Sequence, residues 1–218
     1  DEVEVPAGYY KEVKSEGNTK VITNKLPIPS GKDVTSEGIQ GASQTGTPTY
    51  TPGTVTIDGS PVTVDLKPNS YRLVVGGQVI EQTTTPAMKN GQEVGTYTLD
   101  QASGKVTFQP KKDFTGQPDP VTVQVEDENG TPATATYTPN VLGVKPSAQD
   151  AETTDIQGKE QVGQLTFTPG TTAVDGQDYT VPIAANSLQF LVDGQASTET
   201  TIPAKDANGK EIGTYTLN

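Results

Sequence analysis

The sequence contains no cysteine and no histidine. Without cysteine there is no disulfide, thiol nucleophile, zinc thiolate site or internal thioester crosslink. Without histidine the usual base of a Ser or Cys triad and the commonest metal ligand are both missing. Tryptophan is absent, methionine occurs once and aromatic residues make up 6% of the chain, so a stacking platform for a ligand has little to be built from. Cations are scarce as well: 15 Lys and Arg face 27 Asp and Glu, for a net charge of −12. Nothing here neutralises a run of phosphates, which excludes a nucleic-acid partner. That acidity keeps neighbouring copies soluble and mutually repelling. No stretch approaches the roughly 20 apolar residues of a membrane helix, so no membrane insertion is expected. The N-terminus is not a signal peptide, and the chain reads as a cut from something longer.

Hydrophobic residues supply 31% of the 218 positions, enough for thin cores only, as in small two-layer domains. Such a lean composition, rich in Gly and Pro, also fits disorder. Clean alternation of apolar and polar residues argues against it. Val121, Val123 and Val125 face one way in an extended chain, with Thr122, Gln124 and Glu126 the other. Ala133, Ala135 and Tyr137 alternate with Thr134, Thr136 and Thr138 in the same manner.

The chain also repeats itself. Pro29-Ser30 and Asp33, then Gln40-Gly41, Gln44, Gly46 and Thr51-Pro52-Gly53, return 117 residues later as Pro146-Ser147 and Asp150, then Gln157-Gly158, Gln161, Gly163 and Thr168-Pro169-Gly170. Over residues 29–53, 12 of 25 positions are identical to their counterparts. Asn69-Ser70 recurs as Asn186-Ser187 and Gly77-Gln78 as Gly194-Gln195. Gly95-Thr96-Tyr97-Thr98-Leu99 matches Gly213-Thr214-Tyr215-Thr216-Leu217, where the offset has become 118. A period of this length is that of a domain rather than a solenoid unit. Residues 1–28 stand apart. They carry nine charges and the pair Tyr9-Tyr10, with a turn at Glu16-Gly17-Asn18 between two short strands and a stiff connector at Leu26–Pro29. They are read as the end of a preceding domain, a linker, or a degenerate version of the strands that close each repeat.

The first repeat, 29–145, is expected to hold seven or eight strands. Asp127-Glu128-Asn129-Gly130 makes a hairpin between the two alternating runs, on the strength of Asn-Gly. Another hairpin joins Tyr97-Thr98-Leu99 to Val106-Thr107-Phe108 through residues 100–104. Further strands are expected at Pro48–Thr51, Pro61–Asp65, Tyr71–Val75 and Val79–Thr84. No segment has helical periodicity. Strands at this density read as an antiparallel β-sandwich. Residues 141–146 link it to a second repeat, 146–218, whose last residue aligns with Asp100. The counterpart of residues 101–145 is missing, leaving an unpaired edge and half a core exposed. Either the protein continues, or the phasing is 1–100 and 101–218.

These motifs resemble a known family. Gly95–Asp100, Gly104-Lys-Val-Thr-Phe-Gln-Pro110, Phe114-Thr-Gly116, Pro120–Val125, Asp127–Gly130, Ala133–Pro139 and Gln44–Gly53 are similar to the CshA-type fibril repeat of Gram-positive, streptococcal surface adhesins. More loosely they resemble bacterial cadherin-like and Ig-like surface repeats. The resemblance implies an all-β chain of tandem Ig-like or cadherin-like antiparallel β-sandwich repeats, elongated, in the stalk of a cell-wall-anchored adhesin. It implies an extracellular location and a distal binding region for host extracellular-matrix or salivary proteins. Neighbouring repeats of the same chain are the other expected partners. The lack of Cys fits, since Gram-positive surface proteins commonly do without disulfides.

Candidate residues for other chemistries are present. Glu126, Asp127 and Glu128 are paired carboxylates of the kind glycoside hydrolysis uses, but acids in a hairpin turn read first as solvated. With Asp150, Glu152 and Asp155 near the junction they form a candidate calcium set, although no Asp-x-Asp-x-Asp-Gly loop is present. A Lys-to-Asn isopeptide crosslink would draw on Lys20, Lys32, Lys67 or Lys105 with Asn69 or Asn140. No such set recurs, because Lys32 becomes Gln149 and Lys67 becomes Ala184. Tyr97 and Tyr215 read as inward-packing residues with a bonded hydroxyl, as in a tyrosine corner, rather than as ligand-stacking residues. Asn129-Gly130-Thr131 matches a glycosylation sequon but reads as a turn. No catalytic, cofactor-binding or metal residue is assigned. The rival functions are a direct host-protein or glycan binding module and an accessory region of a secreted hydrolase.

Overall fold

The computed structural model describes residues 4–218. Among them all regular structure is β-strand, in several mostly antiparallel sheets, as the period-2 alternation requires. The chain divides into two compact units. One gathers the described residues up to Val144 together with Thr171–Tyr179, the other Lys145–Gly170 with Thr180–Asn218.

The first unit opens with a hairpin of β1 (Tyr10–Glu16) and β2 (Thr19–Lys25), closed where the Gly17-Asn18 pair marks a turn. Glu12 of β1 is buried. Its carboxylate accepts the Asp58 N–H at 2.9 Å and lies 3.2 Å from the Lys25 ammonium. The Asp58 N–H, then Lys25, hold that carboxyl below its ordinary range. The connector Leu26–Pro29 follows, with Pro27 fully buried.

Thirteen strands then run to Leu142, where seven or eight were expected. They are β3 (Ser30–Lys32), β4 (Val34–Ile39), β5 (Gln44–Gly46), β6 (Thr49–Thr51), β7 (Gly53–Ile57), β8 (Ser60–Val64), β9 (Arg72–Val75), β10 (Gln78–Val79), β11 (Thr84–Lys89), β12 (Gln92–Leu99), β13 (Val106–Pro110), β14 (Val121–Glu126) and β15 (Pro132–Leu142). The surplus is β3, β4 and β5, in a stretch where no strand was expected, with β7 and β11, which two-residue turns at Asp58-Gly59 and Asn90-Gly91 fold onto their neighbours; Gly76-Gly77 makes a third such turn. Both residues of each have positive φ, which matches the twist of paired strands and cuts the chain into short hairpins. The Asn129-Gly130 hairpin forms differently. Its loop spans Asp127–Thr131, between the paired residues Glu126 and Pro132, and only Gly130 has positive φ.

Two sheets organise this unit. One has the order β10-β9-β14-β15-β4 and the other β11-β12-β13-β5. Leu73, Val121, Val123, Tyr137 and Val141 from the first meet Ala87, Tyr97, Leu99, Val106 and Phe108 from the second in one buried cluster. Val121, Val123 and Val125 all turn inward while Thr122, Gln124 and Glu126 do not. The expected strand Val79–Thr84 is broken, because the chain leaves the first sheet after Val79 and joins the second at Thr84. Ile80 makes the crossing: its N–H bonds to the Leu73 carbonyl at 2.9 Å and its side chain packs on the core. One pairing departs from the antiparallel expectation. β15 lies parallel to β4, from Tyr137 opposite Val34 to Leu142 opposite Ile39. The long chain between them supplies the crossover that a parallel pair needs.

The later part of the chain carries only two-stranded pieces. β16 (Ser147–Gln149) pairs with β17 (Thr166–Thr168), and β18 (Gly170–Val174) with β19 (Gln177–Val181). β20 (Phe190–Val192) pairs with β21 (Gln195–Ser197), and β22 (Thr201–Lys205) with β23 (Glu211–Thr216). Two-residue turns recur at Asp175-Gly176 and Asp193-Gly194. Within the second unit Leu191, Ile212 and Tyr215 are exposed at 72%, 66% and 60%.

Candidate functional site

The densest constellation of polar and aromatic groups lies inside the first unit. Tyr97 of β12 packs against Phe108 of β13 with ring centroids 5.3 Å apart, and edge-on against Tyr137 of β15 at 6.3 Å. Phe114 meets Phe108 edge-on at 6.5 Å. These are favourable aromatic geometries, each worth about 0.5–1.5 kcal/mol beyond burial. The Tyr97 hydroxyl donates to the Asp119 carbonyl at 2.8 Å. The Tyr137 hydroxyl bonds to Ser36 Oγ, which donates to Gln44 Oε1 at 2.7 Å. Gln44 Nε2 then donates to the Asn140 carbonyl at 3.0 Å. This chain of bonds ties β4, β5 and β15 together. Two residues beyond Gln44, Gly46 has no room for a side chain, since a Cβ there would run into the Tyr137 ring. Their recurrence as Gln161 and Gly163 was the sequence signal for this clamp. Desolvation, then the neighbouring Tyr137 and Asp119, push the Tyr97 hydroxyl far above its ordinary pKa of 10.0. Burial raises Tyr137 against the opposing Ser36 bond.

Tyr97 is therefore an inward-packing residue, as expected. Tyr215 is not. It carries the same motif but stands exposed.

The acidic turn also differs from expectation. Asp127 is fully buried rather than solvated. Its Oδ1 accepts the N–H groups of Asn129 at 3.0 Å and Thr131 at 2.8 Å, so the carboxylate caps its own loop. Oδ2 is buried without a hydrogen-bond partner. Glu126 and Glu128 do not join it: Glu126 is half-buried and Glu128 exposed. Asp150, Glu152 and Asp155 are exposed, and no group of three or more acidic side chains converges as a metal site among the described residues. The lysines proposed for a crosslink, Lys20, Lys32, Lys67 and Lys105, are all exposed, as is Asn69. Asn140 is half-buried and its amide contacts Glu37 at 3.3 Å. The apolar, converging triad that isopeptide chemistry needs is not assembled from these residues. Among the described residues no helix is long and apolar enough to cross a membrane.

The family model described as the surface adhesin CshA repetitive domain matches the chain twice, over residues 27–141 and 143–218. No curated protein shows a significant match.

Proposed function

The chain belongs to the CshA surface adhesin repeat family, and on that premise we propose that its repeats form part of the stalk of a cell-wall-anchored Gram-positive adhesin. Membership itself carries a surface-adhesin repeat and a cell-surface or extracellular setting. The stalk reading rests on one observation above others, the tandem occurrence of the same repeat in one chain. Repeats add reach without adding chemistry. The burial of Tyr97 against Phe108 and Tyr137 supports a packing role for this residue of the first repeat. The acidic surface favours separation of neighbouring fibrils over their collapse.

A distal region of the parent protein would then engage host matrix or salivary proteins, with the repeats as spacers. The test is to delete these repeats from the surface protein on its host cell and measure fibril length by immunogold electron microscopy, alongside adhesion. The expected outcome is a shorter fibril whose isolated distal region still binds. Saturable binding of residues 1–218 alone to fibronectin or a saliva-coated surface would instead make the repeats a binding module.

A further inference from the structure

The hairpin β7–β8 forms a two-stranded sheet of its own, and its fastenings run to the chain upstream of its repeat. The ladder ends at Ile57 opposite Ser60, so the two-residue turn leaves the Asp58 N–H without a partner in the hairpin. That N–H donates instead to the Glu12 carboxylate of β1 at 2.9 Å. The Lys25 ammonium, at the end of β2, donates to the Thr56 carbonyl at 2.8 Å and pairs with Glu12 at 3.2 Å. At the foot of the hairpin Gly53 is buried, and a Cβ there would strike the Ile28 backbone. The hairpin is thus held at its turn, along its strand and at its base.

The repeat carries this element forward as β18–β19. Gly53 returns as Gly170, and the turn Asp58-Gly59 as Asp175-Gly176, with φ of 50° and 79° against 51° and 77°. Among the described residues beyond Val141, Gly170 and Val174 alone are buried, and both lie in β18. Two strands by themselves enclose no core, so the cover over Val174 comes from outside its hairpin. It comes from the first unit, to which Thr171–Tyr179 belong. Val174, Asp175 and Tyr179 line one cavity of that unit together with Ser36 and Glu37 of β4 and Asn140 of β15. Asn140 Nδ2 donates to the Glu37 carboxylate at 3.3 Å.

We propose that β7–β8 and β18–β19 are docking arms, by which each repeat grips the strands upstream of it through the N–H of the first turn residue seated on a carboxylate. Glu12 receives Asp58, and Glu37 receives Asp175. The partner of the second arm is the β4–β15 seam of the preceding repeat in the same chain. A buried turn N–H bound to a carboxylate makes a charge-assisted bond, stronger than a neutral one. No lysine lines the second cavity, so that arm lacks the ion pair Lys25 gives the first and is the weaker of the two. The proposal rests on the tandem-repeat reading, and fibril length, which tests that reading, does not depend on whether the arms dock.

The 218-residue chain has no cysteine, so Gln177→Cys provides a single thiol for a nitroxide label. In the labelled chain the NMR amide signals of Thr35–Ile39 should be broadened, and adding Val174→Asp should restore them while leaving the Phe108 and Val123 amides unshifted. Glu37→Ala should weaken the broadening. For the first arm, Glu12→Ala should speed amide exchange at Asp58 about tenfold, the loss expected for a bond to a charged group. Sharp β4 signals in the labelled chain, or broadening that survives Val174→Asp, refute the second arm. Unchanged Asp58 exchange in Glu12→Ala refutes the first. Broadening that reaches an isotope-labelled chain from a separate nitroxide-labelled copy would assign the contact to self-association and overturn the proposal too.

Discussion

Replacing Tyr97 by Ala removes a ring that is 2% exposed, two aromatic contacts and the donor to the Asp119 carbonyl. Large aromatic truncations in a core cost about 3–5 kcal/mol, and the lost hydrogen bond adds about 1 kcal/mol. With a urea m-value of about 2 kcal/mol/M, a loss of about 4 kcal/mol lowers the unfolding midpoint by about 2 M. That is a large share of the 5–15 kcal/mol typical of a whole domain. Tyr97→Phe keeps the ring and should cost about 1 kcal/mol, near 0.5 M in midpoint. The informative partner is Tyr215→Ala, at the aligned position of the second repeat. An exposed ring with no cover should cost within about 0.5 kcal/mol. Urea titrations read by amide exchange at Phe108 and Val123 report the first unit, and at Ile202 and Tyr215 the β22–β23 hairpin. Equal midpoint losses for Tyr97→Ala and Tyr215→Ala would refute the claim that long-range strands, and not the motif, decide burial.

Gly46→Ala should cost about 1–3 kcal/mol by forcing the Tyr137 ring aside, while Gly163→Ala, with only Thr153 Cγ2 at 4.0 Å, should stay within about 0.5 kcal/mol; matched urea curves for the two variants decide it. Asp127→Ala removes the acceptor of two loop N–H groups and should destabilise the first unit by about 1–2 kcal/mol, with faster exchange at Asn129 and Thr131, and unaltered exchange there would refute the capping role. Because burial raises the Tyr97, Tyr137 and Tyr50 hydroxyls above 10.0 in the folded state, their contribution to stability is fully present below pH 10, the unfolded value, and is lost as pH rises beyond it. Urea midpoints at pH 9 and 11 test the sign, and Tyr97→Phe should flatten part of the slope.

What could be read in advance was local. The Val121–Val125 and Ala133–Tyr137 runs carry their own periodicity, and the turn between Leu99 and Val106 lies a few residues from both strands it joins. The Asp-Gly and Asn-Gly pairs at Asp58, Asn90, Asp175 and Asp193 are local signals of the same kind, each closing a two-residue hairpin turn. The parallel partnership of β4 with β15 had no such trace, since Val34 and Tyr137 are separated by a hundred residues and nothing local fixes their order. Asp127 misled for a related reason. A carboxylate in a turn reads as solvated until the backbone around it shows two N–H groups aimed at one oxygen. Tyr97 and Tyr215 state the limit most clearly: one five-residue motif, two opposite fates, decided by residues 108 and 137.

The parallel pairing of β4 and β15 has a mechanical consequence. Tension on the two ends of the first unit draws β4 by its leading end and β15 by its trailing end, in opposite directions along their common axis. Parallel strands pulled this way are loaded in shear, so the six register pairs from Val34–Tyr137 to Ile39–Leu142 resist together. A hairpin such as β22–β23, pulled at its open end, instead unzips one rung at a time. Resistance to force and resistance to heat can therefore part company in this chain, with the mechanical strength set by one seam between an early strand and a late one.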